Sequence, residues 1–333
     1  MANKNLCEEC GIRQAEIYQS HSNRKLCREC FIEDVSKRVI NEIKKWNMIG
    51  SNDTILMALS GGKDGYVLLD VLSRNYKSNK LVGLNIIEGI HGYNKEEDAK
   101  YLANTAKEMG IDIIITSVKD YIGYSMDEIV KKSFDAKTRL TPCTYCGLIR
   151  RRIMNYFARE IGATKLATAH NLDDESQTAV VNLLKGDISS LLKQHPNTKI
   201  VEDDMLVHRI KPLRKIYEWE TATYSFLKGF HLQETECPYI NMAPTLRAKV
   251  RRELYNYEKE NPGVLLKFMD TLDEILEMFN TKNTLTKLSR CIKCGEPTAI
   301  GRKYCKLCEL LSNIGIDNPK YALLKLPKKN VVI

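Results

Sequence analysis

The chain has 333 residues, with 51 Lys and Arg against 42 Asp and Glu, which gives a formal net charge of +9. With 43% hydrophobic and 28% charged residues it is expected to fold as a globular protein of about two domains, which excludes a disordered or fibrous chain. No apolar run reaches the ~18–20 residues that cross a bilayer, and the segment 1–9 is polar, so we expect a cytoplasmic protein without membrane attachment.

The hydrophobic pattern predicts alternating helices and strands from residue 32 onward. The predicted elements are helix 32–48, strand 53–60, helix 64–76, strand 81–88, helix 95–110, strand 111–118, helix 144–161, strand 165–169 and helix 171–185. Short connections between alternating elements predict an α/β fold with a doubly wound parallel sheet. Residues 212–281 are predicted to be mostly helical.

Eight of the eleven cysteines form four CxxC pairs near the two ends of the chain. The pairs are Cys7/Cys10, Cys27/Cys30, Cys291/Cys294 and Cys305/Cys308. This spacing, in an odd total and without a secretion signal, favours metal ligation over disulfides. Short segments with thin cores need a metal to fold, so we predict two structural zinc modules. Two such sites, each with a charge of about −2, lower the net charge to roughly +5.

The chain is therefore divided into four predicted parts. These are an N-terminal zinc-binding module at 1–31, the α/β domain at 32–210, a helical extension at 211–285, and a C-terminal zinc-binding module with a tail at 286–333.

A glycine turn follows the first predicted strand and opens a helix. Its sequence is Ser60-Gly61-Gly62-Lys63-Asp64-Gly65. Glycines permit a tight turn whose N–H groups converge on an anion, and the helix N-terminus adds partial positive charge there. The segment fits neither GxxxxGK[ST] nor GxGxxG. The alternative is a plain strand-to-helix turn, but its place at the carboxyl end of a buried strand favours a phosphate site.

A second polar block, His170-Asn171-Leu172-Asp173-Asp174, closes the fourth predicted strand. It predicts at least a helix start, because Asn171 is a good N-cap residue and acidic groups in a first turn favour the helix dipole.

Three cysteines remain in the middle of the sequence. Cys143 and Cys146 form a CxxC pair, and Cys237 follows in the segment Glu236–Tyr239. Three thiols at one site can bind three corners of a 4Fe-4S cluster and leave one iron open. Alternatively, Cys143 and Cys237 carry and resolve a persulfide. A third interpretation is a redox pair or zinc site with an unrelated Cys237, and spacing alone leaves all three open.

Basic residues cluster beside these cysteines, as expected of a site that binds phosphate. They are Lys137, Arg139, Arg150, Arg151 and Arg152 around the central pair, and Arg247, Lys249, Arg251 and Arg252 after Cys237. A solvated helix face is the alternative for any one of them.

The combination of SGGKD, PCTYCG, ATAHNLDD and ECPY with two flanking cysteine modules resembles the TtuA/NcsA-type tRNA 2-thiolation enzymes, cytosolic thiouridylases of the PP-loop ATP pyrophosphatase superfamily. The resemblance covers nearly the whole chain. It implies that Ser60 to Gly65 hold the phosphates of ATP, with Asp64 also catalytic. It places Asn85 and Ile86 near the adenine and assigns His170 and Asp173 to nucleotide or Mg²⁺. The family usually has Ser at the position of Gly65 and often His at that of Cys30.

The same resemblance implies a 4Fe-4S cluster on Cys143, Cys146 and Cys237, with Cys143, Cys237 and Lys137 in catalysis. The implied reaction adenylates uracil O2 and then inserts sulfur. The implied target is the wobble uridine at position 34 of tRNA, with the T-loop uridine at position 54 as alternative. The implied sulfur source is sulfide or a ubiquitin-like thiocarboxylate carrier, and a homodimer is expected. A tRNA cytidine 2-thiolation enzyme and a non-catalytic zinc-containing RNA-binding module are the competing hypotheses.

Overall fold

The computed structural model describes residues 5–197, 203–233, 235–240, 245–280, 288–317, 319 and 331–332. Its strands are β1 (Ile17–Gln19), β2 (Arg24–Leu26), β3 (Thr54–Ala58), β4 (Lys80–Ile87), β5 (Asp112–Ser117), β6 (Lys165–Thr168), β7 (His208–Ile210), β8 (Ser289–Arg290), β9 (Pro297–Thr298) and β10 (Val331–Val332). Its helices are α1 (Arg28–Lys45), α2 (Lys63–Asn75), α3 (Glu96–Glu108), α4 (Val118–Ile122), α5 (Met126–Asp135), α6 (Pro142–Glu160), α7 (Leu172–Leu184), α8 (Ile188–Leu192), α9 (Glu218–Lys228), α10 (Leu246–Glu260), α11 (Val264–Asn280) and α12 (Lys306–Ser312).

A six-stranded sheet forms the centre of the fold, in the order β10-β5-β4-β3-β6-β7. The five strands from β5 to β7 are parallel, and β10 pairs antiparallel with β5. From β3 the chain first runs outward through β4 and β5, and then crosses to β6 on the other side. This reversal places a crevice at the carboxyl end of β3, where ligands of doubly wound sheets bind.

Helices cover both faces of the sheet, because strands buried on both sides carry nearly continuous apolar runs. On one face, Val67 of α2 and Leu102 of α3 pack with Met57 of β3. On the other, Ile153 of α6 packs with Leu84 of β4. The predicted doubly wound α/β fold is therefore confirmed.

The residues after β7 are mostly helical, as predicted, in the part of 212–281 that the structure describes. Met269 and Leu272 of α11 share a core with Leu172 of α7. A buried ion pair fixes this layer to α1, because the Arg214 guanidinium bonds to both Glu42 and Asp273.

Both terminal cysteine segments pack on the main domain. In the first, Arg28 donates to Leu227 O at the end of α9, and Phe31 lies beside Trp219 of that helix. In the second, the thiols of Cys291 and Cys308 share a core with α6.

Ten described helices and strands are absent from the sequence-based prediction: α4, α5, α8, β7 and β10, and within the cysteine modules β1, β2, β8, β9 and α12. β7 and β10 have only three and two residues, too few for a periodic pattern to register. Helix α6 also begins two residues earlier than predicted, which brings Cys143 into its first turn. Among the described residues, none of the helices combines the length and hydrophobicity that a membrane span needs.

Candidate active site

The glycine turn lies at the carboxyl end of β3, as predicted. Gly61 has φ +78°, a left-handed conformation that favours glycine, and Gly62 is the N-cap of α2. The Gly62 N–H donates weakly to Ser60 Oγ, at 3.4 Å. The backbone amides of the turn and the first turn of α2 thus face the crevice, where they can bind phosphate oxygens.

Lys63 is paired with acidic residues at this edge of the sheet. Its Nζ lies 3.0 Å from Glu218 Oε1 and 3.5 Å from Asp64 Oδ2. The Glu218 N–H donates to Asp173 Oδ2 at 2.8 Å, which brings three carboxylates to one place. Burial raises the pKa of Asp64, and it raises the pKa of Asp173 to about 6. A divalent cation would favour the ionised form of both, so these oxygens suit the Mg²⁺ that accompanies ATP.

Asn171 joins the two polar motifs. Its Oδ1 caps α7 by accepting from Asp174 N at 2.9 Å, as the sequence predicts. Its Nδ2 also donates to Asp64 Oδ1 at 3.2 Å, and Thr221 Oγ1 donates to the same oxygen at 2.6 Å. One amide therefore fixes the start of α7 against the start of α2.

His170 lies beside this junction, with its Nδ1 3.0 Å from Thr168 Oγ1. Part of the His170 side chain reaches solvent. Desolvation by the protein around the ring nevertheless lowers the pKa of His170 to about 4. His170 is therefore neutral at neutral pH and is suited to hydrogen bonding rather than to charge pairing.

Asn85 and Ile86 support the crevice from β4. Asn85 is fully buried, and its Nδ2 donates to Leu59 O at 2.8 Å, directly before the glycine turn. The carbonyl of Ile86 accepts from Asn94 Nδ2 at 2.8 Å. Their contact with adenine stays a prediction, because these polar groups already serve the protein itself.

Two of the basic residues of α10 contact the acidic groups of the site, whereas Arg252 pairs with its neighbour Glu253. Arg247 pairs with Asp174 at 3.0 Å, and Arg251 with Glu218 at 3.2 Å. A cavity of about 410 Å³ opens next to them, lined in part by Asp173 and Tyr255. Arg247 and Arg251 are therefore solvent-exposed cations that pair with carboxylates of the site.

The three central cysteines come together from distant parts of the chain. Cys143 and Cys146 lie in the first turn of α6, and Cys237 lies in the segment 235–240, which turns through an Ile240 N–H bond to Cys237 O. Burial raises the pKa of Cys146 to about 12, and the charges of Cys143 and Cys237 contribute. The pKa of Cys237 is likewise raised by burial, with Cys143 and Glu88 adding to it.

This donor set suits a 4Fe-4S cluster. The three Sγ atoms are not all within 4.8 Å of one another, whereas each terminal set of four is. A cubane is larger than one ion, so thiols on three of its corners stand farther apart than thiols on a single zinc. The raised pKa values of Cys146 and Cys237 disfavour free thiolates there, and a bound iron would stabilise them in the ionised form.

Two charged residues border the central thiols. Glu88, at the end of β4, is 1% exposed and accepts from Asn94 Nδ2 at 2.6 Å. The Nε of Arg150 lies 3.5 Å from Glu88, and the nearby Cys146 thiol, after Glu88, helps to raise the pKa of Arg150.

Lys137 lies at the end of α5 with φ +51°, and its N–H donates to Phe134 O. Its side chain is exposed and contacts no thiol through a hydrogen bond or ion pair among residues with described placement. Its role in catalysis stays a prediction. Arg139, two residues on, is also exposed.

Each terminal module brings four thiols within 4.8 Å of one another. The sets are Cys7, Cys10, Cys27 and Cys30, and Cys291, Cys294, Cys305 and Cys308. Both start with the same knuckle, in which a glycine with positive φ donates to the first cysteine: Gly11 N to Cys7 O and Gly295 N to Cys291 O, each 2.8 Å. Four convergent thiols fit zinc in a closed tetrahedral site.

Sequence reasoning missed several site residues. Glu218 and Thr221 begin α9, in a region predicted only as helical, and both contact the Lys63–Asp64 pair. No local signal marks them, because their partners lie about 150 positions earlier. Glu88 had a weak signal, since it is a charged residue at the carboxyl end of a buried strand.

The PP-loop domain family matches residues 33–257. The chain is 32% identical to the tRNA 2-thiolation protein NcsA of Haloferax volcanii, over 92% of this chain and 98% of that protein. It is 31% identical to a tRNA-5-methyluridine(54) 2-sulfurtransferase of Pyrococcus horikoshii, over 91% and 92% of the two chains.

Among solved structures, the U34-tRNA thiolase NcsA from Methanococcus maripaludis, determined with its [4Fe-4S] cluster, is similar in fold. The TM-score is 0.75 at 31% identity, and the match covers 92% of this chain and 96% of that one.

Proposed function

Because this chain belongs to the PP-loop family of tRNA 2-thiolation proteins, we propose that it catalyses the ATP-dependent 2-thiolation of a uridine in tRNA, at wobble position 34. The observation that carries the proposal is the meeting of Cys143, Cys146 and Cys237 at the edge of the sheet that also bears the glycine turn. A nucleotide and a sulfur site at one crevice are what the exchange of oxygen for sulfur requires.

In the proposed reaction the uracil O2 attacks the α-phosphorus of ATP and pyrophosphate leaves. A sulfur nucleophile then attacks C2, and O2 departs with AMP. This activation is needed because O2 by itself is a poor leaving group. No oxidation or reduction occurs, because the sulfur of HS⁻ takes the place of uracil O2, which leaves with AMP. The proton of HS⁻ passes to solvent.

The chain's own residues divide this work. The amides of Gly61 and Gly62 and the Lys63 ammonium bind the phosphates, and Asp64 and Asp173 orient Mg²⁺. Cys143, Cys146 and Cys237 would hold the 4Fe-4S cluster. When bound, that cluster supplies a Lewis-acidic iron without a protein ligand, suited to sulfide. We assign Lys137 to charge stabilisation on the adenylated base.

We further propose that the sulfur arrives as sulfide or from a ubiquitin-like thiocarboxylate carrier, and that the enzyme is a homodimer with two structural zinc ions per chain. A cytoplasmic location is proposed because all eleven cysteines are unpaired thiols, a state maintained in a reducing compartment.

The second candidate is the uridine at position 54, supported by the similarity to the P. horikoshii protein. The test is mass spectrometry of tRNA nucleosides from a strain lacking the gene, with each 2-thiouridine mapped to its position. Loss at position 34 that wild-type protein restores supports the proposal, and loss at position 54 favours the second candidate. Unchanged 2-thiouridine at both positions would overturn both.

A further inference from the structure

Three consecutive arginines of α6 point in different directions, because successive residues rotate around a helix. Arg150 faces inward and pairs with Glu88. Arg152 points to the C-terminal cysteine module, where it donates to Cys294 Sγ at 3.4 Å and to Cys305 Sγ at 3.2 Å. Two of the three charges are therefore used inside the protein.

Arg151, between them, is exposed and forms no hydrogen bond or ion pair with any residue whose placement is described. Arg209 of β7 is close enough for the charge of Arg151 to act on it. Arg209 pairs in register with Leu166 of β6, and Leu166 belongs to the core on the α6 side, so both arginines lie on the same face of the sheet. Arg209 is also exposed and without such a partner, within the same described part of the chain.

Two adjacent cations without an acidic partner repel each other. Although both side chains reach solvent, desolvation by the protein around the guanidinium lowers the pKa of Arg151, and desolvation together with the charge of Arg151 lowers the pKa of Arg209. Glu175, whose charge reaches Arg209, already pairs with Lys211 at 2.6 Å. Guanidinium groups stay protonated at neutral pH, so an incoming anion would relieve this repulsion.

The pair lies between the two halves of the active site. The Arg151 guanidinium lies beside Gly147, the residue after Cys146, because a Cβ built on Gly147 would meet its Nη2 at 3.6 Å. Arg209 lies on β7, the strand next to β6, and β6 ends two residues before His170. The electrostatic influence of Cys146 on Arg151 and of Arg209 on His170 agrees with this placement. The phosphates of ATP have separate donors in the glycine turn and α2. A phosphate bound by the two arginines would thus belong to the strand that delivers the base to the thiols.

We infer that Arg151 and Arg209 together bind one backbone phosphate of the RNA strand beside the target nucleotide. The inference rests on the proposed function and adds to it a subsite for the substrate strand. Guanidinium groups bind phosphate oxygens in a bidentate manner, and such contacts fix the register of a nucleic acid without reading its sequence.

The experiment measures the binding of an unmodified tRNA transcript by fluorescence anisotropy as a function of KCl concentration. The Arg151→Gln/Arg209→Gln double variant should bind about tenfold more weakly at low salt. The slope of log K against log [KCl] should become shallower by about 0.7–0.9, the value for one lost phosphate contact. The affinity for ATP should stay unchanged.

A matched control removes two charges from the opposite face. Lys100→Gln/Lys107→Gln alters two exposed lysines of α3, the helix that packs on the other side of the sheet. The tRNA affinity and salt slope of this variant should stay close to those of the wild type. The Arg151→Lys/Arg209→Lys variant should restore the salt slope but not the full affinity, because lysine keeps the charge without the bidentate fork.

This inference would be overturned if the double glutamine variant bound tRNA with the affinity and salt slope of the wild type. If the wild type also thiolates tRNA normally, the proposed function would stay intact. Normal tRNA binding together with weaker inhibition by pyrophosphate would assign the pair to the leaving group of ATP instead. A wild-type protein that binds no tRNA would overturn both proposals.

Discussion

The terminal and central cysteine sites differ in how the chain builds them. Each terminal set combines two CxxC pairs within one short segment, and its four Sγ atoms lie within 4.8 Å of one another. The central site takes two thiols from α6 and a third from residue 237, and they stand farther apart. Local sites enclose a single ion, whereas a site assembled by the tertiary fold can leave room for a cluster and a substrate.

Exposure shows the same contrast. Five of the eight terminal cysteines are buried, whereas none of the central three is, and Cys143 is exposed. A closed, buried site suits a structural metal, and an exposed one suits chemistry with an incoming substrate. The terminal sites should therefore support stability and the central site activity, a division that mutations can test.

The largest effect is expected from Cys146→Ala. Removing this thiol should abolish 2-thiouridine formation and the visible absorbance of an iron–sulfur centre, because two thiols cannot hold the cluster. Thermal unfolding should change little, since Cys146 is only partly buried. Absorbance after anaerobic reconstitution, calorimetry and nucleoside mass spectrometry measure the three properties. Thiolation that survives loss of the absorbance would instead support a persulfide on Cys143 and Cys237.

Cys294→Ala should show the opposite pattern. The C-terminal module has a small core, and structural zinc contributes about 10–16 kcal/mol of apparent binding energy in comparable units, so its loss should unfold the module. We expect one zinc fewer per chain by elemental analysis and faster proteolysis after residue 288, with the visible absorbance retained in the fraction that remains folded. Full stability with normal zinc content would contradict the structural role.

A smaller stability change is expected where the two kinds of site meet. Arg152 donates to two thiols of the C-terminal module and lies 3.6 Å from Glu296, and both side chains are about 10% exposed. Arg152→Met should destabilise the protein by about 2–4 kcal/mol in urea unfolding, because it removes the charged donor shared by Cys294 Sγ and Cys305 Sγ and leaves Glu296 with Arg159 as its remaining cation. Arg302→Met removes the exposed pair with Glu309 in the same module and should cost less than about 1 kcal/mol. Equal effects of both variants would argue against a close link between module and active-site helix.

The terminal modules were predictable from the sequence because their ligands are local. CxxC spacing alone identified all eight cysteines, and the structure brings each set of four together. The glycine turn was equally local, since a buried strand, two glycines and a helix start follow one another. The capping boxes at Ser117 and Ser125 were also present in the sequence, although α4 and α5 were not predicted from them.

The remainder of the active site was not predictable from local pattern. Spacing left three interpretations open for Cys143, Cys146 and Cys237, and the resemblance to a family favoured one of them. Glu218 contacts Lys63 because α9 packs on α2. Thr221 contacts Asp64 for the same reason. Such contacts depend on tertiary packing, which periodicity along one chain does not encode.

The acidic side of the site should give the central region a pH dependence that the terminal modules lack. Burial raises the pKa of Asp173 to about 6, so the carboxyl group is protonated below that pH and loses its ability to bind Mg²⁺. The affinity for ATP with Mg²⁺ should fall as the pH drops through about 6.

Asp173→Asn should weaken ATP binding about 10- to 100-fold at neutral pH and abolish this pH step. Because the raised pKa means that ionised Asp173 disfavours folding, stability at neutral pH should not decrease in this variant. Titration calorimetry on both sides of the pKa provides the measurement. A pH step that persists in the variant would point to another group.

The smallest effect concerns Gly65, where the resemblance stated from the sequence leads us to expect serine. A Cβ at this position would meet Ser60 N at 3.4 Å and Leu59 Cα at 3.7 Å, ordinary contact distances that require little movement. Gly65→Ser adds one hydroxyl donor beside the phosphate site, worth about 1 kcal/mol at most, so the KM for ATP should fall by up to about fivefold. It also replaces glycine within α2, which favours the helix slightly.

Gly110→Ser offers a control, because Gly110 has φ +73° and lies outside the site, so serine there should lower stability without changing the KM for ATP. An unchanged KM in Gly65→Ser would mean that the backbone amides of this turn already satisfy the phosphates, and the glycine would then mark no weakness in ATP binding.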